Sequence, residues 1–208
     1  MQRIKQHRLV QLFVIYTRYL IGGTFVFASL IKIKGLRFTS ASGAENPIDT
    51  AWHFFETLYQ SGLYWQFIGI GQLVAGGLLM TQKYARLGAV AFLPISVNIF
   101  VITLSYDFNY TPVVTGLMVL ANLMLLVWEW PTLRVLVNRT PVLETQIRME
   151  HDGLWTLVGV LLFCFTFGYR LLVNKYDIFF WLLGCMGIGL IGLILGLRNE
   201  SKRRKRTL

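Results

Sequence analysis

The hydrophobic positions of the chain fall into six long runs that are separated by polar stretches. An α-helix that crosses the hydrocarbon core of a bilayer needs roughly 17–25 residues. The runs have this length, and they predict transmembrane helices at residues 9–31, 65–81, 85–105, 112–130, 154–173 and 178–197. The first run is too long for a signal peptide and lacks a small-residue cleavage site. We therefore expect it to remain in the protein as a helix.

A shorter amphipathic pattern lies between the first two runs. Asn46 and Pro47 are typical of a helix start, as an N-cap residue followed by a first-turn proline. The pattern that follows puts apolar side chains on one face, with His53 and Glu56 on the polar side. It is too short and too polar to span a membrane. We expect an interfacial helix over 47–60 that lies at the outer surface of the membrane.

The composition supports a membrane protein. Of the 208 residues, 55% are hydrophobic and only 14% are charged, and the mean hydropathy is +0.56. Soluble domains carry about 25% charged residues, so this composition excludes most soluble classes. A net charge of +10 would suggest nucleic-acid binding in a soluble protein. Here the positive charge follows membrane topology instead, and no nucleic-acid partner is expected.

The lysines and arginines are distributed unequally between the two ends of the predicted helices. Fourteen lie on the side that holds both termini and five lie on the other side, while Arg18 lies in the interior of the first run. By the positive-inside rule, both termini are expected to be cytoplasmic. We interpret the basic tail as an anchor against anionic lipid headgroups. The five on the outer side are Lys32, Lys34, Arg37, Arg170 and Lys175.

Polar side chains inside the first four runs are the best indication of function, because a membrane helix tolerates such groups only with a partner. Each of these four runs has one stripe of polar or small residues. At a rise of about 1.5 Å per residue, the polar positions are biased toward the outer half of the membrane. They predict a polar chamber that opens outward or sideways beneath the interfacial helix. Its candidate ligand-binding residues are Arg18, Gln72, Asn98, Asn122, His53 and Glu56.

These residues also admit structural interpretations. Arg18 either holds helices together or contacts an anion or a carbonyl, and its candidate carboxylates, Glu56 and Glu129, both require a long reach. The three amides of the chamber are alternatively interhelical hydrogen-bonding groups, worth ~0.6 kcal/mol each. His53 and Glu56 are spaced for a proton-handling pair or for a solvated face. Lys32 is interpreted as reaching to lipid headgroups.

The last two runs predict a closely packed helix hairpin. Gly189, Gly192 and Gly196 share one face of the sixth helix, and the last two form a GxxxG pattern. The hairpin either caps the bundle or docks a partner, and the three glycines are the candidate docking face. Cys164 and Cys185 form no metal-binding spacing, and we predict neither a disulfide nor a metal site.

Four segments of the first half of the chain carry a resemblance to a known family. Arginine and lysine bracket a small-residue pair in the first helix, a glycine-rich second helix follows, and a short basic turn leads to a third helix with a proline and an asparagine. These segments are residues 18–32 (RYLIGGTFVFASLIK), 69–80 (GIGQLVAGGLLM), 82–86 (QKYAR) and 94–98 (PISVN). Over roughly residues 12–130 the chain resembles the DoxX family of small membrane proteins.

The resemblance implies a four-helix bundle in a bacterial inner membrane. Members of that family are linked to quinone-coupled redox systems, including a subunit of thiosulfate:quinone oxidoreductase, so an accessory or subunit role is implied. One position departs from the family pattern. Gln72 stands where the family usually has an acidic residue in the second helix. A pairing of that acid with the arginine of the first helix would here become a neutral hydrogen bond.

The sequence thus predicts an all-α integral membrane protein with six transmembrane helices and one outer interfacial helix. A DoxX-like bundle occupies 1–130, a cytoplasmic amphipathic loop 131–153, a transmembrane hairpin 154–197 and a basic tail 198–208. We expect a multi-pass protein of the bacterial inner membrane, in contact with membrane lipids and with a membrane or peripheral protein complex.

Two functions are expected from these features. The first is a membrane subunit or accessory protein of a quinone-linked redox complex, which binds a quinone or lipid-like ligand in the chamber. The alternative is a structural or assembly component of a cell-envelope complex without ligand chemistry. No nucleotide loop, metal cluster or nucleophile constellation is visible in the sequence, so an independent enzyme with an intrinsic cofactor is not expected.

Overall fold

A computed structural model describes residues 5–142, 148–175 and 177–206 of the chain, with side chains as far as residue 200. Within these ranges the regular elements are all helical, and six of the helices are long and apolar enough to cross a membrane. The predicted fold class, an all-α membrane protein with six spanning helices, is confirmed. The helices are α1 (Arg8–Ile33), α2 (Ala51–Gln60), α3 (Leu63–Met80), α4 (Ala85–Ser105), α5 (Thr111–Leu133), α6 (Gly153–Leu172) and α7 (Ile178–Arg206), with 3₁₀ turns at Arg134–Val137 and Met149–His151.

The six hydrophobic runs match α1 and α3 to α7, and α4 has the predicted bounds. The short helix α2 differs from its prediction, because it begins at Ala51 and not at Pro47. Thr50 is the N-cap, and its hydroxyl accepts a hydrogen bond from the His53 backbone N–H at 3.4 Å. The carbonyl of Pro47 instead accepts the Thr50 N–H at 3.0 Å, which forms a turn before the helix.

Helix α1 lies at the centre of the bundle and is the most buried of the six spanning helices. It packs against α3, α6 and, less extensively, α5, while α4 packs between α3 and α5. The contact with α3 depends on glycine. A Cβ atom added to Gly76 would lie 2.5 Å from the carbonyl oxygen of Gly22. Small residues at this crossing let the two backbones approach closely, as in many membrane helix pairs.

The glycine face of α7 is covered by the chain itself. A Cβ atom on Gly192 would lie 2.7 Å from Val158, and one on Gly196 would lie 2.4 Å from Trp155, both on α6. Gly189 is also buried, and its carbonyl accepts a hydrogen bond from the Tyr16 hydroxyl at 2.7 Å. The structure therefore corrects the docking hypothesis for Gly192 and Gly196, because both face α6 of the same chain. Gly189 instead lines a pocket between α1, α6 and α7.

The outward faces of the bundle are apolar. Large side chains on different helices, such as Leu20, Phe67, Leu117 and Leu190, are each more than half exposed. In water this would be an unusually extended hydrophobic surface, whereas lipid tails solvate it.

Two glycines of α6 allow a matched test of the close packing. A Cβ atom on Gly159 would lie 1.8 Å from the Met80 carbonyl oxygen, whereas one on Gly168 would meet nothing within 4 Å. We expect Gly159→Ala to lower the free energy of unfolding by about 1–3 kcal/mol, since the backbones of α3 and α6 must separate. Gly168→Ala is the control, and it should be neutral or slightly stabilising because alanine favours helix. Unfolding in detergent compares the two, and equal stabilities would contradict the packing described.

Candidate functional site

Five charged side chains meet at the side of the bundle where α1 begins and α7 ends, which we call the terminal side. Arg18 Nη2 lies 2.8 Å from Glu129 Oε1, and Arg18 Nη1 lies 2.9 Å from Glu150 Oε2. Arg86 Nε donates to Glu129 Oε2 at 2.7 Å. Arg148 Nη1 contacts both carboxylates, at 3.0 and 2.9 Å. We call these five residues the ionic cluster. The side chains of Arg18 and Glu129 are each only 2% exposed.

Four separate parts of the chain supply the ionic cluster. Arg18 comes from α1, Arg86 from the first turn of α4, Glu129 from the last turns of α5, and the other two from the segment before α6. Two hydrogen bonds next to the ionic cluster also connect α1 to the turn between α3 and α4 and to the segment before α6. Gln82, in the turn between α3 and α4, accepts from Arg18 Nη1 at 2.9 Å. Gln11 on α1 accepts from the Met149 backbone N–H at 2.8 Å.

The structure answers the question of what pairs with Arg18. Glu129 was one of the two candidates from the sequence, and it is the correct one, whereas Glu56 lies elsewhere. Glu150 and Arg148 were missed, because both come from the connection between α5 and α6 and not from a hydrophobic run. A signal was available in the sequence. A buried arginine needs carboxylate partners, and Glu150 lies four residues before the predicted span at 154–173.

A second arrangement of polar and apolar groups lies at the opposite side of the bundle, at the far end of α1. The Lys32 ammonium is buried, with 7% of the residue exposed. Its Nζ donates to the Ala28 carbonyl at 3.0 Å and lies 5.0 and 5.2 Å from the ring centres of Trp65 and Phe38. Within the part of the chain that the structure describes, no carboxylate contacts Lys32. A cation in this position has lost water without gaining an opposite charge, which is costly.

Lys32 lines a pocket of about 320 Å³, which we call the Lys32 pocket. Phe55 of α2, Trp65 of α3, and Pro94 and Asn98 of α4 also line it. The remaining lining is aliphatic or aromatic and includes side chains on the outward faces of α3 and α4. The pocket therefore combines one buried ammonium group with a mostly apolar lining that reaches the lipid-facing surface.

The predicted six-residue chamber is not formed as a unit. Asn98 lines the Lys32 pocket, but Arg18 belongs to the ionic cluster on the terminal side. Asn122 is buried and donates to the Ala89 carbonyl at 3.0 Å, so it joins α5 to α4 as the structural interpretation proposed. Gln72 is buried within the bundle. The polar stripes correctly indicated helices with buried polar residues, but they did not predict which of these residues contact each other. Those contacts depend on the rotation of each helix about its axis.

His53 and Glu56 do not form a pair. The Glu56 carboxylate is buried and accepts two hydrogen bonds from Arg37, from Nε at 2.8 Å and from Nη2 at 2.9 Å. It also accepts the Gly43 backbone N–H at 3.3 Å. His53 Nδ1 lies 3.0 Å from the Asn46 carbonyl oxygen. Glu56 thus ties α2 to the segment before it. The hydrogen bonds from Arg37 lower the pKa of Glu56 to about 2.

Comparison with known proteins yields one partial relative. The chain is 41% identical over 75 residues to "Uncharacterized protein YwoB" of Bacillus subtilis (strain 168), a match that covers 36% of this chain and 47% of that protein. The chain thus matches about half the length of this curated relative. No protein-family model matches the chain. No solved structure matches it either.

The ionic cluster predicts a large loss of stability when its shared carboxylate is neutralised. Glu129→Gln leaves three arginines with one carboxylate fewer in a buried site, and we expect it to lower the free energy of unfolding by about 3–5 kcal/mol. Glu45→Gln makes the same chemical change at an exposed position and should stay within about 0.5 kcal/mol of the unaltered protein. Denaturant titration in detergent measures both, and a small effect at residue 129 would contradict a structural role for the ionic cluster.

The Glu56 pairing predicts how acid affects the stability of the segment between α1 and α2. Since the folded pKa is below the usual value of about 4.3, the pairing stabilises the segment fully above that value. Its contribution declines as the pH falls and is lost near pH 2. Limited proteolysis between α1 and α2 should therefore stay slow at pH 4 and accelerate toward pH 2. In Glu56→Gln it should be fast already at neutral pH, and slow cleavage there would argue against this role.

Proposed function

We propose that this protein binds a quinone or lipid-like amphiphile in the Lys32 pocket, and that it serves as a membrane subunit or accessory protein of a quinone-linked redox complex. The observation that carries the ligand proposal is a buried lysine, without a contacting carboxylate in the described chain, that lines a mostly apolar pocket reaching the lipid surface. Pockets of this kind, mostly apolar with few polar groups, are typical of ligand sites.

The chemistry of the pocket favours a ligand with an oxygen-bearing head and an apolar body. A lysine ammonium has three donors, and Lys32 uses one of them for the Ala28 carbonyl. The others are available to a quinone carbonyl or to an anionic head oxygen. The Trp65 ring beside the ammonium gives a flat surface for a ring or an alkyl chain. Asn98 adds a second polar group to the wall.

The redox part of the proposal rests on the resemblance to the DoxX family, and the lysine and arginine distribution supports an inner-membrane orientation with both termini cytoplasmic. In that orientation the Lys32 pocket lies in the outer half of the membrane, where the sequence predicted a ligand. The alternative, a purely structural component, gains no support from Gly192 and Gly196, because both pack against α6 of the same chain.

The test compares two lysine variants on the same side of the bundle. Lys32→Met keeps a long unbranched side chain and removes the charge inside the pocket. Lys175→Met removes the same charge from an exposed position outside the pocket. We expect quinone or lipid extracted from purified protein to fall at least about fivefold in Lys32→Met, as the loss of a charged hydrogen bond requires, and to be unchanged in Lys175→Met.

Mass spectrometry of the protein purified in mild detergent measures the bound molecules and the proteins that accompany it. Equal ligand content in both variants would overturn the Lys32 pocket as the binding site. Retained ligand without any co-purifying oxidoreductase would overturn the redox-subunit role while leaving ligand binding in place.

A further inference from the structure

A second cavity, of about 390 Å³, adjoins the ionic cluster on the terminal side. Arg18, Glu129 and Glu150 lie at its buried floor, while Lys83 and Arg86 lie at its exposed mouth. We propose that this cavity binds a phosphate group, supplied by an anionic phospholipid or by a soluble phosphate compound. The site is at the other end of the bundle from the Lys32 pocket and does not depend on the function proposed for that pocket.

The cations at the mouth have donors to spare. Arg86 uses Nε for Glu129, which leaves its two terminal amino groups for a ligand. Lys83 lies over the Tyr84 ring at 5.4 Å, and no carboxylate of the described residues pairs with it. The His151 ring lines the same cavity. Three nitrogen-bearing side chains from two parts of the chain thus converge on one space.

The charges around the cavity are unbalanced. Its lining carries three cations, Arg18, Lys83 and Arg86, against the carboxylates of Glu129 and Glu150. Arg148, which contacts both carboxylates, adds a fourth cation behind the lining. A recess with an excess of positive charge attracts anions. Because the floor carboxylates are already held by arginines, an incoming anion meets the cations at the mouth and not an unpaired negative charge.

A phosphate group suits these donors. An arginine fork donates two parallel hydrogen bonds to phosphate oxygens, and a lysine ammonium contributes a compact charge beside it. The cavity volume exceeds that of a bare ion and accommodates the ester group attached to a phosphate. The mouth lies beside the start of α4, at the end of the bundle, where a headgroup or a soluble ester has access.

The test uses the full-length protein in a maltoside detergent, which contains no phosphate. Inorganic phosphate and short-chain phosphatidylglycerol are titrated separately, with sodium chloride at equal ionic strength as the reference for screening. A ligand that binds only the folded state raises the Tm with concentration, which gives an apparent Kd. The variant is Lys83→Gln, at a position whose ammonium lies over the Tyr84 ring, and the control is Lys175→Gln on the opposite side.

We expect at least one of the two phosphate probes to raise the Tm more than sodium chloride does, and Lys83→Gln to weaken its apparent Kd about fivefold while Lys175→Gln leaves it unchanged. Stabilisation by phosphatidylglycerol alone assigns a lipid headgroup, and stabilisation by inorganic phosphate assigns a soluble source. The proposal is overturned if neither probe exceeds sodium chloride, or if Lys83→Gln binds as tightly as the control.

Discussion

The structure depends on the ion pair between Arg18 and Glu129. An arginine in the interior of a spanning helix costs ~2.5–3.5 kcal/mol on insertion scales unless it finds partners. In this protein the partners come from three other parts of the chain, and each of them is thereby held against α1. Because α1 is the central helix, the same contacts that satisfy the arginine also fix the ends of α4 and α5 and the segment before α6. The need of the buried Arg18 for partners thus determines how the helix ends on the terminal side are arranged.

The two ends of α1 handle buried positive charge differently. Arg18 is surrounded by carboxylates and an amide, so its charge is compensated within the chain. Lys32, fourteen residues later on the same helix, has a backbone carbonyl and two aromatic rings as its described contacts. Compensated charge is typical of structure, while uncompensated buried charge is typical of a site that acquires its partner from outside. This contrast is the physical reason for proposing the quinone or lipid-like ligand at Lys32, while the phosphate proposed on the terminal side is assigned to the exposed cations Lys83 and Arg86.

Glycine determines how the two halves of the bundle join. Gly76 lets α3 approach α1, Gly159 lets α6 approach the end of α3, and Gly192 lets α7 lie on α6. These contacts bring the backbones together without side chains between them. In lipid, this close van der Waals packing takes the place of the hydrophobic driving force that acts in water. The hairpin of α6 and α7 is therefore part of one continuous packing with the first five helices, and its glycines serve the chain's own fold.

The sequence by itself determined the spanning helices. The length of a hydrophobic run is a local property, and comparing it with the thickness of a bilayer is enough to predict a spanning helix. The length of its run also gave the bounds of α4. The position of Arg18 inside a hydrophobic run showed that it needs a carboxylate, and Glu129 was correctly among the candidates. Only the tertiary structure decided that Glu150 and Arg148 complete the ionic cluster, that Lys32 is enclosed by Phe38 and Trp65, and that Gly192 faces Val158. Each of these depends on how helices rotate about their axes and how a connecting segment folds back. Those are set by packing between residues far apart in the chain, which no local pattern of polar and apolar positions encodes.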